Sequence, residues 1–220
     1  TAFFVQAETK LPSILGSHMV LQQGEKCPIW GWDEAGTEVT VSFAGQTHAT
    51  KTGKDGRWQV SLTAMKANAK GAALTVKGSS TVKLDDVLVG EVWLCSGQSN
   101  MEWTVSRSTN AKEEIASGNH PLIRHIKIPH VPSATPQNDV KSGGWQPCTS
   151  KVVANFTAVG YYFGRHLHKK LNVPIGLIGS NWGGTRIEPW IPPVGFKSVP
   201  ALKANFADKL DQFPAKRGNG

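Results

Sequence analysis

The sequence predicts an α/β chain in two parts: a small N-terminal β-sandwich over residues 8–86, then the first part of a doubly wound, mostly parallel sheet over residues 87–220. Three observations carry this. Short stretches with a period of two fill residues 38–84, with turn residues between them. A near-continuous apolar run over residues 87–94 then breaks off into Ser96-Gly97-Gln98-Ser99, as a strand covered on both faces would. Beyond it, strand-like and helix-like segments alternate.

Taken in order, Thr1-Ala-Phe-Phe-Val-Gln-Ala7 reads as the remnant of a signal peptide. Phe3, Phe4 and Val5 close its apolar region, and Val5-Gln-Ala7 forms a small-residue cleavage site. Export, to a periplasm or out of the cell, is the expectation. In the front part, Glu38-Val-Thr-Val-Ser-Phe43, Arg57-Trp-Gln-Val-Ser-Leu62, Leu74-Thr-Val-Lys77 and Thr81-Val-Lys-Leu84 alternate as strands do. Ala44-Gly45-Gln46 and Gly53-Lys-Asp-Gly56 supply the turns. Trp30, Trp32 and Trp58 are read as packing, although a sugar-stacking platform is the sharper alternative. No Pro- or Gly-rich linker follows Leu84, so the two parts should be rigidly joined.

The strand made by Val87, Leu88, Val89, Val92, Trp93 and Leu94 should be buried, with a helix starting after Ser99. A short helix is expected over residues 109–117 and a strand over residues 122–128. Residues 129–150 hold four prolines and read as a long surface loop. Phe156, Val159, Phe163, Leu167 and Leu171 recur at helical spacing and predict an amphipathic helix ending before Pro174. Residues 174–179 make the next strand, and residues 201–213 a last helix.

Composition narrows the function. No apolar run approaches the roughly 18–20 residues of a membrane span. Cys27, Cys95 and Cys148 are too few for a disulfide framework or a zinc site, although a Cys27–Cys148 bridge is open; no metal or cofactor is implied. The net charge of +8 sits almost wholly in residues 151–220. Nucleic acid would require a basic stripe with aromatics or a known module, and neither is present. The imbalance fits a chain that continues beyond Gly220, with attraction for anionic sugars as the weaker account.

Ser99 is the candidate nucleophile. It stands at a strand-to-helix turn, where open α/β sheets place ligand crevices, and Gly97 allows a tight bend before it. Its own N–H, near a helix start, suits a developing negative charge.

Gly97-Gln98-Ser99-Asn100-Met101, with the preceding Val89-Gly90-Glu91-Val92-Trp93-Leu94 and the following Glu102-Trp103, resembles the first block of the SGNH hydrolases. The branch is that of sialate O-acetylesterases and related carbohydrate acetylesterases. Residues Pro174-Ile-Gly-Leu-Ile-Gly-Ser-Asn-Trp-Gly-Gly-Thr-Arg-Ile-Glu-Pro-Trp190 resemble a second block, and Met19-Val-Leu-Gln22 with Pro28-Ile-Trp-Gly-Trp32 a third. The resemblance implies a flavodoxin-like SGNH sheet behind a β domain. It also implies deacetylation of an O-acetylated sugar, foremost sialic acid, through an acetyl-enzyme. Xylan or another polysaccharide is the alternative substrate. From a different class, a carbohydrate-binding module with a decayed catalytic half is the competing account.

The second block implies a further oxyanion donor, with Gly184 preferred and Gly183 as alternative. Gln98 and Asn100 would support the nucleophile's loop or contact the substrate directly, while Arg186 has a surface or structural role or reaches a sugar carboxylate. Glu188, Trp182 and Trp190 would brace the second loop. His166 and His168, two apart on one helix, cannot be paired ligands. His18, His48, His120, His125 and His130 read as solvated or satisfied histidines on turns or strand edges. The family's base and its acid form Asp-x-x-His, and no Asp stands three residues before a His here. Residues 87–220 are therefore expected to be an incomplete hydrolase domain, inactive alone, needing the remainder of the same polypeptide.

Overall fold

The structure, a computed structural model, describes residues 8–133 and 135–207. The predicted leader remnant at residues 1–7 lies outside the described residues, as do residues 208–213 of the last predicted helix.

Seven strands open the chain: β1 (Val20–Gln22), β2 (Cys27–Trp32), β3 (Glu38–Phe43), β4 (Gln46–Lys51), β5 (Arg57–Leu62), β6 (Asn68–Lys77) and β7 (Thr81–Gly97). Then follow α1 (Ser99–Glu102), α2 (Ala111–Ala116), β8 (His120–Lys127), β9 (Gln146–Cys148), α3 (Ala158–Leu171), β10 (Ile175–Asn181), α4 (Pro193–Ser198) and α5 (Pro200–Leu202). A π-helical turn, Lys203–Ala207, closes the described chain. Alternation predicts β3 and β5 residue for residue. It does not reveal β4, an edge strand without a buried residue. Nor does it separate β2 from a motif, although Cys27, Ile29 and Gly31 are buried in alternation.

The strand β7 organises both parts. The sequence suggests two strands, over residues 81–84 and 87–94; the structure has one of 17 residues. Its first half pairs antiparallel with β6, and residues 88–90 pair parallel with β1. Residues 91–97 pair parallel with β10, which pairs parallel with β8, and β9 closes the sheet antiparallel. The described residues thus form a mixed eight-stranded sheet, mostly parallel in its second half, beside the antiparallel β2–β5 pair. In front, Ile29, Val60 and Leu62 of that pair share a buried cluster with Val39, Val41, Leu74 and Val76.

Burial along β7 differs from expectation. Val87, Leu88 and Val89 are buried, but Trp93 is 41% and Leu94 65% exposed. Among the described residues α3 packs along β10 and β8 and the single-turn α1 against β7 and β10, without the further helices of a second layer in a doubly wound sheet. The face used by α3 is a second departure. The expected apolar stripe leaves Val159, Phe163 and Leu171 exposed, and the buried residues are Ala158, Gly160, Tyr161 and Gly164. Close approach is the reason: the small residues let the helix lie on Cys95, Ile175 and Leu177. Phe163 instead stacks edge-on with Trp93, ring centroids 4.9 Å apart.

The join between the two parts is polar and fixed. Arg124 of β8, only 4% exposed, donates to Asp86 of β7 at 2.8 Å and to the Pro121 carbonyl at 2.6 Å. His18 holds the same carboxylate oxygen at 2.8 Å, and these two partners keep the Asp86 carboxyl below its ordinary range against the cost of burial. The predicted surface loop over residues 129–150 is tied down. Asp139 accepts from the Ser13 N–H at 2.8 Å, and the buried Trp145 donates to the Ile14 carbonyl at 2.8 Å.

All three cysteines are free and buried. Cys27 belongs to the front cluster and Cys148 to the one beneath α3, so the Cys27–Cys148 bridge does not form. No helix among the described residues is long and apolar enough to cross a membrane.

Candidate active site

Two loops meet at the carboxyl ends of adjacent parallel strands. Strand β7 ends at Gly97, whose φ of 142° few side chains tolerate, and Ser99 opens α1 with its side chain exposed. The expected helix is a single turn of four residues, too short to contribute an appreciable dipole. Strand β10 delivers Asn181-Trp182-Gly183-Gly184-Thr185 alongside, because its register with β7 sets Asn181 opposite Gly97. The Trp182 N–H donates to the Gly97 carbonyl at 3.0 Å. The Asn181 amide donates to the Cys95 carbonyl at 3.1 Å, and Gln98 donates to the Thr185 carbonyl at 2.5 Å. Gln98 therefore ties the two loops together.

Of the two glycines, Gly183 faces the serine. A methyl group placed on it would stand 3.5 Å from both Cα and Oγ of Ser99. A methyl group placed on Gly184, whose φ is 76°, would meet open space. The Gly183 N–H donates to Glu102 Oε2 at 2.5 Å. Glu102 Oε1 lies 3.0 Å from His130 Nε2, and that nitrogen also meets the Asn181 carbonyl at 2.8 Å. The His130 ring stacks on Trp182 at 4.4 Å with 6° between planes. Lys127 donates to the Asn181 side chain and stands 3.8 Å from Glu102; burial draws its pKa below the usual lysine range, against the pull of that carboxylate.

Asn100 is exposed beside Ser99. Arg186 is exposed past Thr185, and Glu188 opens a one-turn 3-10 helix, Glu188–Trp190. Trp190 braces the loop as expected, donating to Thr185 Oγ1 at 2.9 Å.

Glu102, Lys127 and His130 carry no role in the sequence reading. Glu102 stood within the first block, but its partners lie on segments that only folding brings near. His125 departs from a solvated edge residue: it is 4% exposed, stacks on Phe156 at 4.5 Å, and its Nε2 has no partner among the described residues. Burial pulls its pKa down to about 4. Among the described residues no group of three or more His, Cys, Asp or Glu side chains is placed to hold a metal.

The chain is 34% identical over 224 aligned residues to human sialate O-acetylesterase, covering 93% of this chain, and 35% identical over 200 residues to the rat protein, covering 82% of this chain. This chain is a sialate O-acetylesterase homologue. It spans 42% of the human relative's length and 37% of the rat one's. Among solved structures, this homologue matches a carbohydrate acetylesterase from Xanthomonas citri with a TM-score of 0.82 at 36% identity, over 85% of this chain and 43% of that one. No protein-family model matches it.

Proposed function

We propose that residues 87–207 hold the nucleophile half of an SGNH-type carbohydrate O-acetylesterase, acting foremost on O-acetylated sialic acid. The observation that carries this is the exposed Ser99 hydroxyl with Gly183 against it, in a homologue of enzymes bearing that name. Ester hydrolysis requires a nucleophile, a base, and donors aimed at the tetrahedral oxygen. Ser99 Oγ attacks the acetyl carbonyl, a base takes its proton, and the sugar hydroxyl leaves with a proton returned by the same base. Water then frees acetate from the acetyl-serine by the same steps. The Ser99 N–H is the first oxyanion donor. The Gly183 N–H is the second, once a substrate oxygen displaces the Glu102 carboxylate that holds it.

His130 lies close to this centre, but Glu102, the Asn181 carbonyl and Trp182 already engage it. The base is assigned instead to an Asp-x-x-His element outside residues 1–220, consistent with the chain spanning 42% of its human relative. Export through the leader-like residues 1–7 belongs to the same proposal.

The test uses the full-length gene product. A fluorophosphonate probe should label wild type and not Ser99→Ala, with acetate released from 9-O-acetyl sialic acid faster than from acetylated xylan. Absence of labelling at Ser99 would end the serine mechanism. A preference for xylan would keep the mechanism and change the substrate.

A further inference from the structure

A cleft of about 590 Å³ opens on the outer face of the β2–β5 pair, and no residue lining it belongs to the Ser99 site. Its floor is Trp30 and Trp32 of β2, with Gln59 and Arg57 directly opposite them on β5. Directly opposed residues share a face, so all four side chains project from one side of the pair. The two partly exposed indoles lie two residues apart on one strand, about 6.6–6.8 Å along it. Asn138, from the long loop behind β8, closes one side and accepts from the Arg57 guanidinium.

Trp58 lines the cleft although it is 3% exposed, and its indole N–H meets no acceptor among the described residues. Buried indole N–H groups ordinarily have a partner. Packing accounts for the burial of the Trp58 ring, but it gives the donor nothing to bind. On β5 Trp58 stands opposite Gly31, on the face away from Trp30 and Trp32, so a ligand on the outer face does not reach it.

Broad apolar faces edged by a few fixed polar groups are the pattern of a small-molecule site. Here the apolar faces are indoles suited to the C–H face of a sugar ring, and the polar groups are amides and a guanidinium suited to hydroxyls. Lys51 and Arg57 at the rim outnumber Asp55, which favours an acidic sugar. We propose that this cleft is a second carbohydrate site, binding an acidic sugar stacked on Trp30 and Trp32, separate from the site of ester cleavage. The preference for a glycan draws on the esterase proposal; the cleft itself does not.

The full chain should be titrated with sialyllactose by calorimetry and by tryptophan fluorescence, with lactose as the neutral control. The expected result is saturable binding of sialyllactose, weakened about tenfold by Trp32→Ala, weakened several-fold by Asn138→Ala on the exposed loop, and unchanged by Ser99→Ala. Asn138→Ala tests the site even where loss of an indole disturbs folding. No saturable binding, equal affinity for lactose, or binding indifferent to both cleft variants would overturn the proposal. Sialyllactose binding without fluorophosphonate labelling at Ser99 would sink the esterase proposal alone; labelling without binding would sink this one alone.

Discussion

Glu102 and Gly183, 81 residues apart in sequence, are joined by a 2.5 Å hydrogen bond from the glycine N–H to the carboxylate. The glutamate rides on the helix that Ser99 opens, so this bond fastens the second loop against the first. The same carboxylate meets His130 at 3.0 Å. Glu102→Ala should therefore strip two partners at once and lower stability by about 1–3 kcal/mol. Glu102→Gln keeps an acceptor and should cost less. Denaturant melts of both variants check this, and coincident curves for wild type and Glu102→Ala would show that nothing is fastened.

Residues 1–220 alone should turn over p-nitrophenyl acetate negligibly. A nucleophile without its base keeps only the residual catalysis that binding and oxyanion donors supply. A rate like that of the complete enzyme, abolished by Ser99→Ala, would mean that a histidine within the chain serves as base, with His130 the first to examine.

The pH dependence of stability should carry a His125 component. Its folded pKa, about 4, lies below the ordinary 6.5 because burial disfavours the charged ring. The unfolded chain therefore binds the extra proton first as pH falls. Stability from this group is complete above about pH 6.5 and is lost as pH drops towards 4, on the order of 3 kcal/mol across the window. His125→Phe, which keeps a ring against Phe156, should flatten that part of the curve. A slope unchanged in the variant would count against the assignment.

Removing the charge from Asp86 should be costly. Arg124 is buried with this carboxylate as its ion-pair partner. Asp86→Asn leaves the guanidinium without an opposing charge, at a cost of about 3 kcal/mol or more. Asn also tolerates the left-handed backbone there, φ 55°, so the effect reports the charge. The readout is the urea midpoint. A shift under about 0.5 kcal/mol would mean that the junction does not depend on the pair.

The thiols should be silent in the native state. Burial pushes Cys95 and Cys148 up to about 11 and also raises Cys27. Thiolate is the reactive form, so a disulfide reagent at neutral pH should titrate three thiols only after unfolding. Fast reaction of any of them in the folded protein would contradict their burial.

Several elements were legible because one local signal decided each. Strands β3 and β5 follow from alternation, and α3 from helical spacing. The face that α3 buries was not legible. Hydropathy favours Val159 and Phe163, but the helix docks through Gly160 and Gly164, because steric fit against Cys95 and Leu177 outweighs the area of larger side chains. The break between Leu84 and Val87 was misleading for a similar reason. Asp85 and Asp86 interrupt the apolar pattern, yet the backbone continues as one strand, with Asp86 recruited by Arg124 from β8.

The chain's own order of residues determined that Ser99 follows a strand and that a second Gly-bearing loop follows another, since both rest on runs of neighbours. Tertiary structure alone decided which glycine faces the serine, that Glu102 holds its amide, and that Trp58 turns inward while Trp30 and Trp32 remain at a cleft. Those outcomes depend on strand register and on side chains that come within a few ångströms only when distant segments pack. Local propensity carries no information about that distance.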